Sequence, residues 1–406
     1  MSVLLRNVRI FDGTGSAPAL GAVRIDGNHI VRVAYGADAL ADLTADTFID
    51  GAGATLMPGL IDAHAHLTWG SSVEKIYHQF MLPPEELKAA AWRNALVMLD
   101  SGFTSLYSAG SLGDGIETEL ARAIDAGETP GPRLIPSTLE RSPEGDDNGN
   151  VFNGKGPDAM RGFVAHCKEQ GVKIVKLVIS GEDALKPGSS KDILYTEAEL
   201  TAAQASAEAA GLWLTAHVYH PEAIKLALKH NVRTLYHCSF ADAATVDALA
   251  DAKDRIFYAP GPGVSVAAIE ASPPPHIDMS AMKASAVERL RLEANLVPEL
   301  KKRGVRVLIG GDYGFPFNPH GTEARDLQHF VTHYGYTPAE ALSAATMLGG
   351  QLMDLPVGMV KEGYLADLLL VDGDPTANVG ILMNRDAIKM IMKDGAMHKA
   401  PEAVTA

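Results

Sequence analysis

The chain has only two cysteines in 406 residues. Cys167 and Cys238 close at most one bridge, which excludes a disulfide scaffold and leaves reduced thiols in a cytoplasm as the simpler reading. Positive charge is also scarce. Lys and Arg number 35 against 50 Asp and Glu, leaving a net charge of −15. A surface of that sign repels phosphate backbones, so no nucleic-acid partner is expected. Long apolar runs are missing too. No stretch approaches the ~18 uninterrupted apolar residues of a membrane span. The apolar run before Phe11 is too short for a signal-peptide core, and Arg6 and Arg9 interrupt it. The expectation is a cytoplasmic chain with no membrane partner. Internal repeats and low-complexity tracts are absent as well.

What remains has the proportions of a folded protein, 47% hydrophobic and 21% charged. The 14 histidines outnumber the cysteines. Any bound metal would therefore be held by imidazole and oxygen rather than thiolate.

The first fifty residues read as short strands. Val3, Leu5, Val8 and Ile10 are apolar among polar neighbours, and Val23 and Ile25 lead through Asp26-Gly27-Asn28 to Val31 and Val33, a hairpin pattern. The last fifty are similar, with Ala366–Gly373 and Ile388–Gly395. Both ends are expected to pair into one small β domain, residues 1–57 with 355–406. The middle, residues 58–354, alternates apolar runs with helical stretches. The runs are Leu60–His66, Thr104–Tyr107, Arg133–Ser137, Ile174–Ser180, Trp213–Val218, Thr234–Cys238, Ile256–Ala259 and Val305–Asp312. Leu87, Ala91, Ala95 and Met98 share one face of a helix that opens after Pro83-Pro84 and stops at Gly102. Thr196 with Glu199, and Thr337 with Glu340, are capping boxes. Eight strands alternating with helices point to an α/β fold closed as a (β/α)8 TIM barrel, with a small β-sandwich domain from both termini. The competing open sheet usually carries a Gly-rich phosphate turn after its first strand, and none stands here. Ser272-Pro273-Pro274-Pro275-His276 follows the seventh strand, as a functional loop or a rigid surface one.

The chemistry concentrates at strand ends. In Pro58-Gly59-Leu60-Ile61-Asp62-Ala63-His64-Ala65-His66, the two histidines are two apart on a strand and face the same way. Two such imidazoles can clamp a divalent metal at the end where barrel enzymes keep their sites. His217 and His237 lie near the ends of the fifth and sixth strands, Asp312 ends the eighth, and Lys176 sits inside the apolar fourth. A buried unpaired ammonium is costly, so Lys176 needs a reason to be there. Lys173, just before that strand, is its rival.

Taken together, this pattern resembles the metal-dependent amidohydrolase superfamily across nearly the whole chain. The phrases Ala126–Leu134, Thr215–Tyr219 and Lys361–Asp367 are similar to its prolidase-like and imidazolonepropionase-like branch. The resemblance implies a small-molecule hydrolase with two divalent metals, zinc by default and cobalt or manganese as alternatives. It assigns His64, His66 and Asp312 to the more buried ion and His217 and His237 to the second. Lys176 would bridge both as a carbamate formed with carbon dioxide. Asp312 would also be general acid and base for a metal-bridged hydroxide. Tyr219 would contact the substrate, or else form an aromatic wall. His320 would contact the substrate, or else cap the helix that follows. A homo-oligomer is the family precedent.

Three departures bear on the substrate. Ser108-Ala109-Gly110-Ser111, Arg141–Asn148 and Ser180-Gly181-Glu182 stand where relatives carry an Arg-Asp with a Gly pair, a Gly-Gly-His phrase and a second Gly. The scissile amide-type C–N bond is thus expected in an N-acyl amino acid or dipeptide, or in an aryl or alkyl amide, carbamate or urea. The alternatives are a deaminase or cyclic amide hydrolase of the same superfamily, or a non-catalytic relative. The deaminase signature after the fifth strand would need an acid where His220 stands.

Overall fold

The computed structural model describes residues 2–40, 43–72, 82–137, 139–140, 154–183, 186 and 188–401. The phrase Arg141–Asn148 and His78 lie outside the described residues.

Both ends of the chain meet in one sheet. Its N-terminal strands are β1 (Ser2–Ile10), β2 (Ala19–Asp26), β3 (His29–Tyr35), β4 (Thr47–Asp50) and β5 (Thr55–Pro58). The barrel supplies β6 (Leu60–Ala65), β7 (Phe103–Ser108), β8 (Arg133–Ile135), β9 (Ile174–Val178), β10 (Trp213–Val218), β11 (Thr234–His237), β12 (Phe257–Ala259) and β13 (Arg306–Val307). The C-terminal strands are β14 (Leu368–Val371), β15 (Ile388–Lys393) and β16 (Ala396–Lys399). The terminal sheet runs β16-β15-β14-β5-β1-β2-β3, with β4 beside β1.

Local chemistry explains these elements. Val3, Leu5, Val8 and Ile10 are all buried although their spacing changes parity midway. The change is absorbed between Leu5 and Val8, where the register shifts and Asn7 takes φ 54°. The expected hairpin forms, with Asp26 opposite His29 and Gly27 at φ 60°. A register irregularity between Arg24 and Ile25 then changes the phase of β3. Ile30, and not Val31, points into the core. The helix expected after Pro83 runs Pro84–Asp100 and buries Leu87, Ala91, Ala95 and Met98. Both capping boxes form, on the helices Glu197–Ala210 and Pro338–Ala344.

The eight middle strands are parallel, β6-β7-β8 in one ladder and β9 to β13 in another. The two ladders close into a (β/α)8 barrel. On one side the Ala63 amide donates to the Ile309 carbonyl at 3.0 Å. On the other the Ser137 hydroxyl donates to the Ile174 carbonyl at 3.4 Å. The eighth strand is shorter than its apolar run, and Gly310 beyond it stands at a point of close approach. A Cβ at Gly310 would lie 2.7 Å from the His64 Cβ and 2.8 Å from the His64 amide nitrogen.

Arg133 at the start of β8 joins barrel to terminal sheet. Its guanidinium donates to Asp367, which is buried, and to Asp394, whose amide in turn donates to Asp367 at 2.7 Å. Burial raises the Asp367 carboxyl pKa, even against the charge of Arg133. Removing the cation leaves that carboxylate unpaired in the interior. Arg133→Met should cost about 3 kcal/mol, read as a lower melting temperature. Adding Asp367→Asn should recover part of the loss, and equal melting of single and double variants would contradict the coupling.

Candidate metal and active site

The carboxyl ends of the barrel strands bring the six metal-ligand candidates to one place, each at most 8% exposed. Asp312 is the hub. Its Oδ1 lies 3.1 Å from His66 Nε2 and 3.4 Å from His64 Nε2, and its Oδ2 lies 3.9 Å from His237 Nε2. One ligand atom from each of His64, His237 and Asp312 falls within 4.8 Å of the others, a spacing that suits a cation. His217 joins through His237, ring centroids 4.7 Å apart. Lys176 enters from β9, its Nζ donating to the Ala109 carbonyl at 2.5 Å and lying 4.7 Å from the Tyr236 ring centroid. Lys173 points elsewhere, with its ammonium on the Gly211 carbonyl at 2.7 Å.

The backbone is bent to make this meeting possible. Asp312, His237 and Cys238 adopt φ of 60°, 70° and 54°, left-handed values that cost a non-glycine residue about 1–3 kcal/mol each. Neighbours hold the bends. Asn318 donates its side-chain amide to the Gly311 and Asp312 carbonyls at 3.1 and 3.0 Å. The Tyr258 hydroxyl donates to the His237 carbonyl at 2.8 Å. Tyr236 stacks on His64 at 3.9 Å between centroids and donates to the Ala63 carbonyl at 3.0 Å.

Electrostatics follow from burial and crowding. Burial drives the His64 and His237 pKa values well below the usual imidazole value, and His217 down as well. These three rings are neutral near pH 7, the form that binds metal. Burial opposes charge on His66, but Asp312 and Glu140 outweigh it and raise its pKa. For Asp312 burial is overcome by His64, His66 and His237, which hold the carboxyl far below its ordinary range. Burial lowers the Lys176 pKa, although Glu140 and Asp312 resist. The set fits divalent metal: His64 Nδ1 and His217 Nε2 are buried with no hydrogen-bond partner, and imidazole with carboxylate is a hard to borderline donor set.

Tyr219 stands beside the cluster, its ring 4.7 Å from His217 and 4.9 Å from His237. His320 lies behind His66. Its ring nitrogens sit 3.1 Å from the His66 carbonyl and 3.0 Å from Glu323 Oε1. The structure adds Glu140 and Arg289, which sequence reading did not single out, and gives contacts to Glu182, named there only within the phrase Ser180-Gly181-Glu182. Glu140 Oε1 is 3.3 Å from His66 Nδ1 and 4.0 Å from Lys176 Nζ. Glu182 Oε2 is 3.8 Å from His217 Nε2, and Arg289 reaches Glu182 and Tyr219 from the helix Ser280–Lys302. Arg289 sits in Glu288-Arg289-Leu290-Arg291, which reads as a solvated charged face, so no local signal distinguished it. Asn318 is separated from Asp312 by a loop, and only the closing hydrogen bonds reveal its role.

A family model described as the amidohydrolase family matches residues 55–397. The chain belongs to the amidohydrolase family. Ochratoxinase from Aspergillus niger is 26% identical over 377 residues, covering 85% of this chain and 76% of that protein. The crystal structure of A. niger ochratoxinase superimposes with a TM-score of 0.85 at 23% identity, covering 99% and 96% of the two chains. A Xaa-Pro dipeptidase with methionine bound in its active site gives a TM-score of 0.83 at 23% identity, covering 98% and 100%. This member of the amidohydrolase family is a hydrolytic enzyme acting on amide-type C–N bonds.

Gly310 is the joint between closure and site. Gly310→Ala should cost about 2 kcal/mol through overpacking and displace His64. Lower thermal stability with hydrolysis reduced out of proportion to the folded fraction is expected. Unchanged melting and turnover would show that the joint tolerates a methyl group.

Proposed function

We propose that the enzyme holds two divalent ions, zinc by default with cobalt or manganese as alternatives, and hydrolyses a small amide-type substrate at them. The observation that carries this reading is the convergence of His64, His66 and His237 on the Asp312 carboxylate, with His217 and Lys176 beside it. His64, His66 and Asp312 would hold the more buried ion, and His217 and His237 the other. Lys176 would bridge them as a carbamate. Its lowered pKa supports that role, because the neutral amine is the form that attacks carbon dioxide. The carbamate is an anion, which suits a position between two cations and removes the cost of a buried ammonium.

Bound divalent ions supply Lewis acidity toward the carbonyl and make water a nucleophile near neutral pH. The chain's own residues do the rest. Asp312 takes the proton from the attacking water and returns it to the leaving amine nitrogen. Its strained backbone, held by Asn318, fixes where that proton moves. Tyr219 forms an aromatic wall beside His217 and His237 on the substrate side, its hydroxyl donating to Glu182 Oε2. His320 acts indirectly, by fixing the His66 carbonyl and Glu323. The substrate is an N-acyl amino acid or dipeptide, or an aryl or alkyl amide, carbamate or urea. A deaminase reading gains nothing from His220, which opens the helix Pro221–Lys229 and stacks on Phe240 at 4.5 Å.

Metal analysis of the purified protein should find about two divalent ions per chain, and a chelator should abolish hydrolysis reversibly. Protein that turns over amides without metal would overturn the reading. Lys176→Ala should lose metal and activity together, with partial rescue by short carboxylic acids that restore a bridging anion. Full activity in that variant without rescue would refute the carbamate. Asp312→Asn should lower kcat by about 10³-fold in a folded protein, and normal turnover would remove Asp312 from the proton path.

A further inference from the structure

We infer that the subsite beside Tyr219 is already filled by the chain's own carboxylate, Glu182, so that the enzyme selects substrates whose leaving amine carries no carboxylate. The inference rests on the amide-hydrolase reading above and narrows its substrate class to neutral amides, carbamates and ureas.

Three side chains form the subsite. The Tyr219 hydroxyl donates to Glu182 Oε2 at 2.8 Å. Arg289 Nη1 donates to the Tyr219 oxygen at 3.2 Å and lies 3.4 Å from Glu182 Oε1. The Arg289 guanidinium carbon also sits 5.5 Å from the Tyr219 ring centroid. Tyr219 packs against both His217 and His237, so the group next to the reacting centre on this side is the Glu182 carboxylate, 3.8 Å from His217 Nε2. Arg289 and Tyr219 are buried, whereas the Glu182 side chain is 23% exposed.

A buried guanidinium beside a phenol is a good receptor for a carboxylate. Here the Tyr219 hydroxyl and Arg289 Nη1 are committed to Glu182. A substrate carboxylate must displace a tethered competitor present at high effective concentration, or stand against a like charge. Glu140, across the site near His66 and Lys176, adds a second anion. A neutral flank meets neither obstacle. The side beside His66 suits an apolar flank, since Trp69 and Phe315 pack at 4.5 Å, with ring centroids 6.4 and 6.0 Å from His66. Glu182 and Arg289 are thus specificity-determining residues.

The test uses two amides that differ only by a carboxylate, N-benzoylphenylalanine and N-benzoyl-2-phenylethylamine, with the metal-loaded enzyme. Wild-type kcat/KM should favour the neutral amide by at least about tenfold. Glu182→Gln keeps an acceptor for Tyr219 and Arg289 but removes the charge. It should shift the ratio toward the acid by about tenfold, chiefly through KM. Arg289→Met should shift it the other way. Dissociation constants of both compounds, measured by calorimetry, should follow the same order. Wild-type preference for the acid, or a ratio unmoved in Glu182→Gln, would overturn the inference. If both compounds bind but neither is cleaved, the hydrolase reading fails for this class, and the binding ratio alone decides the subsite. Failure to bind either compound overturns both.

Discussion

The structure depends on one carboxylate. Asp312 sits among three imidazoles in the barrel interior, and each partner makes the others tolerable there. Without the imidazoles the carboxylate would be an uncompensated buried charge. Without the carboxylate, the rings would be a crowd of desolvated polar groups with nothing to face. The left-handed backbone at Asp312 and His237 is the mechanical counterpart of this arrangement. A regular strand ending would keep sending successive side chains to alternate faces of the sheet, whereas the left-handed turns re-aim these two, so conformational strain is exchanged for convergence.

Closure of the barrel and assembly of the site are the same event. The amide that joins first strand to eighth belongs to Ala63, the residue before His64, and the glycine that permits the approach stands two residues before Asp312. The tyrosine that stacks on His64 reaches across to the Ala63 carbonyl. The positions of the ligand candidates are therefore set by the frame and not by flexible loops, which suits a reaction needing fixed geometry. The variable part lies outside the frame: Glu140 and Glu182 approach from loops and Arg289 from a long helix, and they can change without disturbing the ligand candidates.

This division also explains what could be read from the sequence. The eight strands, the capped helices and the six ligand candidates are local patterns, visible as alternation, capping residues and two-residue spacing. Glu140, Arg289 and Asn318 have no such mark, and Glu182 stands out only within a phrase that departs from the relatives' pattern. Each is an ordinary polar residue whose importance comes from tertiary placement, and Arg289 even lies in a charged run. The hairpin shows the same limit on a small scale. Its turn was legible, but the register irregularity that turns Ile30 inward in place of Val31 depends on backbone hydrogen bonding that composition does not reveal. Beyond the short eighth strand Gly310 presses against the strand that carries His64, a contact absent from its own text.

The terminal sheet has a consequence during synthesis. Strand β5 has two neighbours, β1 beside it and β14 about 310 residues further along the chain. At ordinary translation speeds, an edge of β5 stays unpaired for roughly 15–60 s while the whole barrel emerges. That edge is short, and it ends at Pro58, which has no amide to offer a stray strand. The nascent chain thus carries its own guard against misplaced pairing until its last strands arrive to complete the fold.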